Sequence, residues 1–430
     1  MVARANTEAE RLMAGDGAAA AALGTRLLKP RRDNLVARPW GGNRLRDFKR
    51  LGAAAARDAI GESFELAADD SDDEARKYPS VIDLHDGSNV TLPALLSAHA
   101  ETLLGAEFVG RYGRRLPLLP KLLDVAELLS VQAHPPGGTE VYVIVAADPG
   151  TTIRLGFSKD ADAKKLAAQF AAGRRDQQRL LDLCAGALSA DQLQILLKPW
   201  LSNRGATITA IEGLLRPRVA SLRWADVAAC LSALRTVYWQ ALDGMNAVPV
   251  SAGMVVDNSN PARIVAASGR PASAEIHALG SPEGRTLLAL EIRRPGVTYR
   301  AWDNVRFPLR PIDIDATLGA VNLAATRPDE FIVQPRQLRA GVQRSVDSEY
   351  FRLEHLAPTA LASVDVPATP PHTLHALAGA VSVYATDGEV VGRLARGESA
   401  LVPLGVGAYR VVADEEPALV VKVELPPYAD

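Results

Sequence analysis

Residues Lys121–Gly150 read KLLDVAELLSVQAHPPGGTEVYVIVAADPG. Short apolar runs are broken by PPGG and closed by DPG, which is the rhythm of antiparallel strands joined by turns. If Ser130–Pro135 is a strand, Gln132 and His134 stand two residues apart and point to one face. Glu140 opens the next apolar run, TEVYVIV, and a hairpin through Pro135, Pro136, Gly137 and Gly138 returns it beside that face. Oxygen, nitrogen and oxygen donors then converge, a set that suits a divalent ion such as zinc. The plain alternative is that a single His and a single Glu near a turn are surface or capping residues.

Working outward, the same punctuation runs from about residue 35 to 157, through GESFELA, SNVTLPALL and TTIRLGF. Between 160 and 241 the period changes. AKKLAAQFAAG, QQRLLDLCAGAL, ADQLQILLKPWL, TITAIEGLL and WADVAACLSALRTVYWQAL place apolar residues three and four apart, which predicts four or five amphipathic helices. Strand-like text returns at VPVSAGMVV, RTLLALEI and VTYRAW. After Pro308 comes a connector, and from about Ser345 a further six or so short strands run to the end, as expected of a small sandwich or barrel. The predicted fold class is mainly β with a helical lobe. Its expected division is 1–157 with 242–330 as one β domain, 158–241 as an inserted helical domain, and 331–430 as a C-terminal β domain.

At 430 residues the chain exceeds one ordinary core. Lys and Arg number 48 against 50 Asp and Glu, so no global basic field draws the chain to nucleic acid or an anionic membrane. Any affinity for anions must be local. Two cysteines, Cys184 and Cys230, lie in helical text and support neither a disulfide framework nor a thiolate zinc site, which fits a reducing, cytoplasmic setting. The N-terminal thirty residues read as helix rather than as a secretory signal, and no stretch approaches the roughly 20 apolar residues of a membrane span.

The segment KLLDVAELLSVQAHP followed by GGTEVYVIV resembles the hallmark segment of the type I phosphomannose isomerases. RPWGG at 38–42, GESFEL at 61–66, AEIHALG at 274–280 and VTYRAWD at 297–303 resemble further family segments in the same order, and AGAVSVYATDG with GESALVPLGVGAYRV resembles the family's C-terminal cupin. The resemblance implies two cupin-type β domains around the helical lobe. It implies one zinc ion per chain held by Gln132, His134, Glu140 and His277. Arg300 maps to a functional arginine, Lys121 to a lysine near the substrate and Ser130 to a phosphate-side serine. Trp40 is a candidate wall of the pocket, with a core role as its alternative. Left outside the site are His85, His99, His355, His372 and His375.

The implied activity is a cytoplasmic, zinc-dependent aldose–ketose isomerase that interconverts mannose 6-phosphate and fructose 6-phosphate through a cis-enediol(ate). A sugar phosphate is the expected partner, with no nucleic acid or membrane, and a monomer is expected. Two departures stand out. The family has a lysine two residues before the glutamate ligand, where this chain has Gly138 in a much shorter loop. Its Glu, Ser-Asp, Arg stretch appears here as Glu291 to Arg300 without the aspartate, which leaves Glu291 or a water as the candidate acid/base group. These changes open two alternatives: an isomerase of another sugar phosphate, and a zinc-holding, sugar-phosphate-binding regulator without turnover.

Overall fold

The computed structural model describes residues 6–52, 59–135, 137–220, 223–259, 264–265, 270–271 and 275–427, without side chains at 264, 265, 270 and 271. Pro136 of the expected hairpin and Ala274 of the AEIHALG segment lie outside the described residues. The chain divides into two compact units, one of Met1–Asp124, Leu288–Gly296 and Val333–Asp430, the other of Val125–Leu287 and Val297–Ile332. Helix and strand share it, so the expectation of a mainly β chain gives way to a mixed fold with antiparallel sheets.

In the second unit a five-stranded sheet runs in the order Tyr299–Trp302, Val131–Ala133, His277–Ala278, Thr152–Phe157, Met245–Pro249. Its strands pair antiparallel, and their register is specific: Gln132 lies opposite both His277 and Arg300, and His277 also lies opposite Leu155. Strand Glu140–Ala147 pairs antiparallel with Val255–Asp257, Tyr142 opposite Val256. Because cross-strand neighbours lie about 5 Å apart at Cβ, residues distant in sequence meet in one row.

Helices Ala163–Cys184, Ala190–Ser202, Ile208–Leu215 and Trp224–Asp243 occupy the stretch where the period of the text changes. The two segments AKKLAAQFAAG and QQRLLDLCAGAL form one helix rather than two. It begins at Asp162, whose carboxylate accepts from Lys165 N, and runs unbroken through Gly173. The glycine is a packing requirement: a Cβ there would meet Trp302 at 2.5 Å. Phe170, one turn away, stacks on Trp302 with ring centroids 6.2 Å apart. Leu180, Leu193, Leu197, Leu231 and Leu234 join them with Val131 and Ala133 in one core. The helices therefore clamp the outer strand that carries Arg300.

The first unit pairs Leu35–Gly42 with Ile60–Phe64, and the latter with Lys121–Val125, placing Glu62 opposite Leu123 and Phe64 opposite Lys121. SNVTLPALL, read as strand text, turns after Thr91 into the helix Leu92–Leu104, with a proline in its first turn. Leu92, Leu95, Leu96, Leu103 and Leu104 are buried, and that spacing is visible only when the run is followed beyond Leu96. The C-terminal strands form an eight-stranded sheet around two long strands, His372–Ala385 and Tyr409–Glu424, paired from His372 opposite Glu424 to Ala385 opposite Tyr409. GAYRVVADE and ALVVKVEL thus belong to one strand. The pairing tolerates an irregularity at Gly379, at φ +61°, where a Cβ would fall 2.0 Å from Glu415 O. Among the described residues no helix is long and apolar enough to cross a membrane.

A buried polar network ties this sheet to the rest of its unit. Lys49 Nζ donates to Glu65 Oε1 (2.7 Å) and Ser63 Oγ (2.8 Å), and Ser399 Oγ donates to Glu65 Oε2 (2.9 Å). His375 Nδ1 in turn lies 2.8 Å from Ser399 Oγ. Burial pushes the imidazoles of His372 and His375 down to about 3, with the Lys422 and Lys49 charges acting in the same direction. Unfolded histidine titrates near 6.5, so below about pH 6.5 the unfolded chain takes up protons that the native chain refuses. Each histidine then removes up to about 1.4 kcal/mol of stability per pH unit as pH falls towards 3. Urea unfolding between pH 7 and 4 should show His375→Gln losing stability less steeply with acid than the parent chain; equal slopes would contradict the assignment.

Candidate metal centre

His134, Glu140 and His277 are buried, and one ligand atom from each lies within 4.8 Å of the others. All three belong to the second unit. His134 ends the Val131–Ala133 strand, Glu140 begins the strand after the turn, and His277 stands opposite Gln132 in the sheet. His134 Nδ1 lies 3.2 Å from Val297 O, and His277 Nδ1 lies 2.8 Å from Glu275 O. A carbonyl only accepts, so each Nδ1 carries a hydrogen, and in the neutral ring each Nε2 keeps a lone pair. Those lone pairs face Glu140, with His134 Nε2 3.6 Å from Oε1 and His277 Nε2 3.4 Å from Oε2.

Burial opposes ionisation of Glu140, but when His277 or His134 is protonated its positive charge outweighs that burial and holds the carboxyl well below its usual range. Two neutral imidazole lone pairs facing a carboxylate repel it in the absence of positive charge. Protonating an imidazole supplies that charge, and so does a divalent ion. Among the described residues the buried His134 Nε2 has no hydrogen-bond partner, which leaves it available as a ligand atom. Two imidazoles and one carboxylate are zinc chemistry. The residues present fit the metal.

Gln132 completes the row. Its Nε2 lies 3.2 Å from His277 Nε2, and its Oε1 accepts from Ser130 Oγ at 3.1 Å. To offer Oε1 to a metal the amide must turn, which brings Nε2 towards Ser130. A hydroxyl both donates and accepts, so Ser130 serves either orientation. Arg300 Nε donates to the same Ser130 Oγ at 3.2 Å, and its Nη1 donates to Pro311 O at 3.1 Å. Gln132, His134, Glu140, His277, Ser130 and Arg300 are thus brought together in the second unit.

Gly138 explains one departure of this chain. A Cβ there would meet His134 Cβ at 2.7 Å and Pro135 O at 3.1 Å, while Gly138 N donates to Pro135 O at 2.9 Å. The turn is closed so tightly over His134 that no lysine fits at this position without displacing that histidine.

Lys121, Glu291 and Trp40 lie in the first unit. The buried Lys121 ammonium stands 3.5 Å from Glu74, 3.8 Å from Glu62, 3.9 Å from Glu291 and 4.8 Å from the centre of the Phe64 ring. Arg38 Nε donates to Glu62 Oε2 at 2.8 Å and Arg38 Nη2 to Glu74 Oε1 at 2.8 Å. Arg293 lies 3.4 Å from Glu291 and 3.0 Å from Asp72, which also accepts from Gly296 N at 2.9 Å. Burial opposes the ionisation of Glu74 and Asp72. The charges of Lys121 and Arg38 nevertheless lower the first, and the Arg293 charge with the Gly296 N–H lowers the second. Trp40 is 4% exposed and packs over Gly61, where a Cβ would meet its ring at 2.9 Å. Arg38, Glu74, Asp72 and Arg293 were not singled out by the sequence reading. Glu62 stood in GESFEL and Arg38 in RPWGG, but neither was given a role there, and the others carry no periodic signal.

Residues 77–150 match the family model for the catalytic domain of type I phosphomannose isomerase. The family that this chain resembles is the type I phosphomannose isomerases. Over 96 residues the chain is 36% identical to the Bacillus subtilis protein named "Putative mannose-6-phosphate isomerase YvyI"; the match covers 22% of this chain and spans about a quarter (26%) of that relative. Among solved structures, the mannose 6-phosphate isomerase from Bacillus subtilis is similar over 93% of this chain and 100% of its own, with TM-score 0.61 and 17% identity. A mannose 6-phosphate isomerase bound with zinc and yttrium is similar over 93% of this chain and 98% of its own, with TM-score 0.56 and 17% identity. Phosphomannose isomerases thus share both the fold and the segment that holds Gln132, His134 and Glu140.

The ligand set makes a direct prediction. Purified chain loaded with zinc and desalted should retain about one ion, and His134→Ala, Glu140→Ala and Gly138→Lys should each retain much less by elemental analysis. Equal metal in all four proteins would contradict the site.

Proposed function

We propose that this chain is a zinc-dependent aldose–ketose isomerase that interconverts mannose 6-phosphate and fructose 6-phosphate. The observation that carries the reading is the convergence of His134, Glu140 and His277 within 4.8 Å, the first two on the segment matched by the family model. Under this reading His134, Glu140, His277 and Gln132 hold one zinc per chain, and Ser130 sets the Gln132 amide. When bound, zinc supplies Lewis acidity for a substrate oxygen on which negative charge develops.

The reaction moves a proton between C2 and C1 through a cis-enediol(ate), so it needs a base, a donor for the oxygens and a hold on the phosphate. Arg300 stands in the same cross-strand row as Gln132. Its guanidinium contributes a fixed positive charge and a planar set of donors for a phosphate or the developing oxyanion. Glu291 is our candidate base, held beside Lys121 and Arg293 at 3.9 and 3.4 Å. Three carboxylates around Lys121 suit sugar hydroxyls better than a phosphate, so we assign the lysine to sugar positioning. Trp40 supports the wall behind these groups. The phosphate binds away from the reacting carbons, and its binding energy positions them.

The remaining assignments belong to the same proposal: cupin-type β domains at 1–157 with 242–330 and at 331–430, a helical domain at 158–241, a cytoplasmic monomer, and no nucleic-acid or membrane partner. The closed turn at Gly138 favours one second reading, an isomerase of a different sugar phosphate, because it removes a lysine that the family places at the site.

Exchange of the substrate C2 proton into deuterated water, followed by NMR over a panel of hexose and pentose phosphates, tests the proposal. Exchange on mannose 6-phosphate that vanishes with chelator and returns with zinc is the expected result. Exchange confined to another sugar phosphate would establish the second reading, and binding with no exchange on any of them would end the isomerase assignment. Charged hydrogen bonds are worth about 1.5–3 kcal/mol. Arg300→Ala should therefore lower kcat/KM at least about tenfold with little change in Tm.

A further inference from the structure

The ligands of the centre are held by a residue that binds no metal in the reading above. Asn258 is 0% exposed and follows the strand Val255–Asp257. Its backbone N–H donates to Glu140 O at 3.0 Å, and its carbonyl accepts from Glu275 N at 3.1 Å. The segment leading into His277 and the strand headed by Glu140 are therefore both fastened to this one residue. Its side-chain amide nitrogen lies 3.0 Å from Glu140 Oε2 and 3.0 Å from His277 Nδ1.

These two approaches are not equivalent. His277 Nδ1 gives its hydrogen to Glu275 O at 2.8 Å and offers Asn258 no lone pair. The hydrogen bond formed is consequently the one to Glu140. Turning the amide over would set Oδ1 against Glu140 Oε2, two acceptors in contact. The orientation is forced even though, among the described residues, it leaves Asn258 Oδ1 buried without a hydrogen-bond partner. A buried acceptor left unpaired burdens the fold, so stability alone gives little reason for an amide here.

We propose that Asn258 is a positioning residue for the metal ligands: by donating to Oε2 it fixes the rotation of the Glu140 carboxylate between the two imidazoles and so sets the affinity of the site for a divalent ion. A carboxylate free to rotate presents its oxygens to His134 Nε2 and His277 Nε2 in many geometries, of which few place three lone pairs around one centre. Outer hydrogen-bond partners of metal ligands typically contribute about 10–100-fold to affinity.

The inference rests on the metal-site reading, and the experiment separates the two. The full chain, stripped with chelator, is titrated with zinc against a chromophoric competitor, and its cobalt(II) form is recorded in the visible. Asn258→Leu, close to isosteric and without a donor, and Asn258→Ala should each bind zinc about 10–100-fold more weakly and shift the cobalt bands. The Tm of metal-free Asn258→Leu should stay at or above that of the parent. Parent-like zinc affinity in either folded variant overturns the inference and leaves the site itself standing. A metal-free Tm that falls in both variants, with affinity lost only in proportion to unfolded protein, assigns Asn258 to the fold instead. No zinc bound by the parent chain removes the site reading, and the inference with it.

Discussion

Two imidazole lone pairs and one carboxylate, all buried and all aimed at one another, set the constraint around which the second unit is organised. In a low-dielectric interior such an arrangement costs several kcal/mol without a positive charge among the three groups. Each imidazole is fixed by a backbone carbonyl on its far nitrogen, at Val297 and Glu275, so neither relieves the conflict by changing tautomer. Positive charge among the three groups relieves that conflict, and their nitrogen and oxygen donors fit a divalent ion such as zinc.

The surroundings hold that arrangement in place. Antiparallel register sets His277, Gln132 and Arg300 in one row, although they are far apart in the chain. The long helix through Gly173 presses on Trp302 and fixes the strand that carries Arg300, and the closed turn at Gly138 locks His134 against its neighbours. The same tightness removes space for a lysine in the turn. The first unit, for its part, holds a concentrated set of paired carboxylates and cations around Lys121.

Much of this was legible in the sequence, for identifiable reasons. Gln132, His134 and Glu140 sit within nine residues, so period two and one turn suffice to bring them together. The helical lobe announced itself through apolar spacing, but its first two segments fused because Gly173, a residue that reads as a breaker, serves close packing against Trp302. Leu92–Leu104 was hidden by a strand-like opening and a proline that in fact suits a first helical turn. His277 was reachable only through family resemblance, since a histidine 143 residues from His134 has no local signal. Asn258, Glu74 and Arg293 were invisible for the same reason: their roles are set by sheet register and tertiary contact, which no local period encodes.

The most direct test of the central claim is anomalous diffraction at the zinc edge from crystals of the full chain grown with zinc. The account predicts one strong peak per chain about 2.0–2.2 Å from His134 Nε2, His277 Nε2 and a Glu140 oxygen, with the Gln132 amide turned to face it. A zinc peak bound elsewhere with these four side chains unchanged, or no peak at saturating zinc, would contradict it.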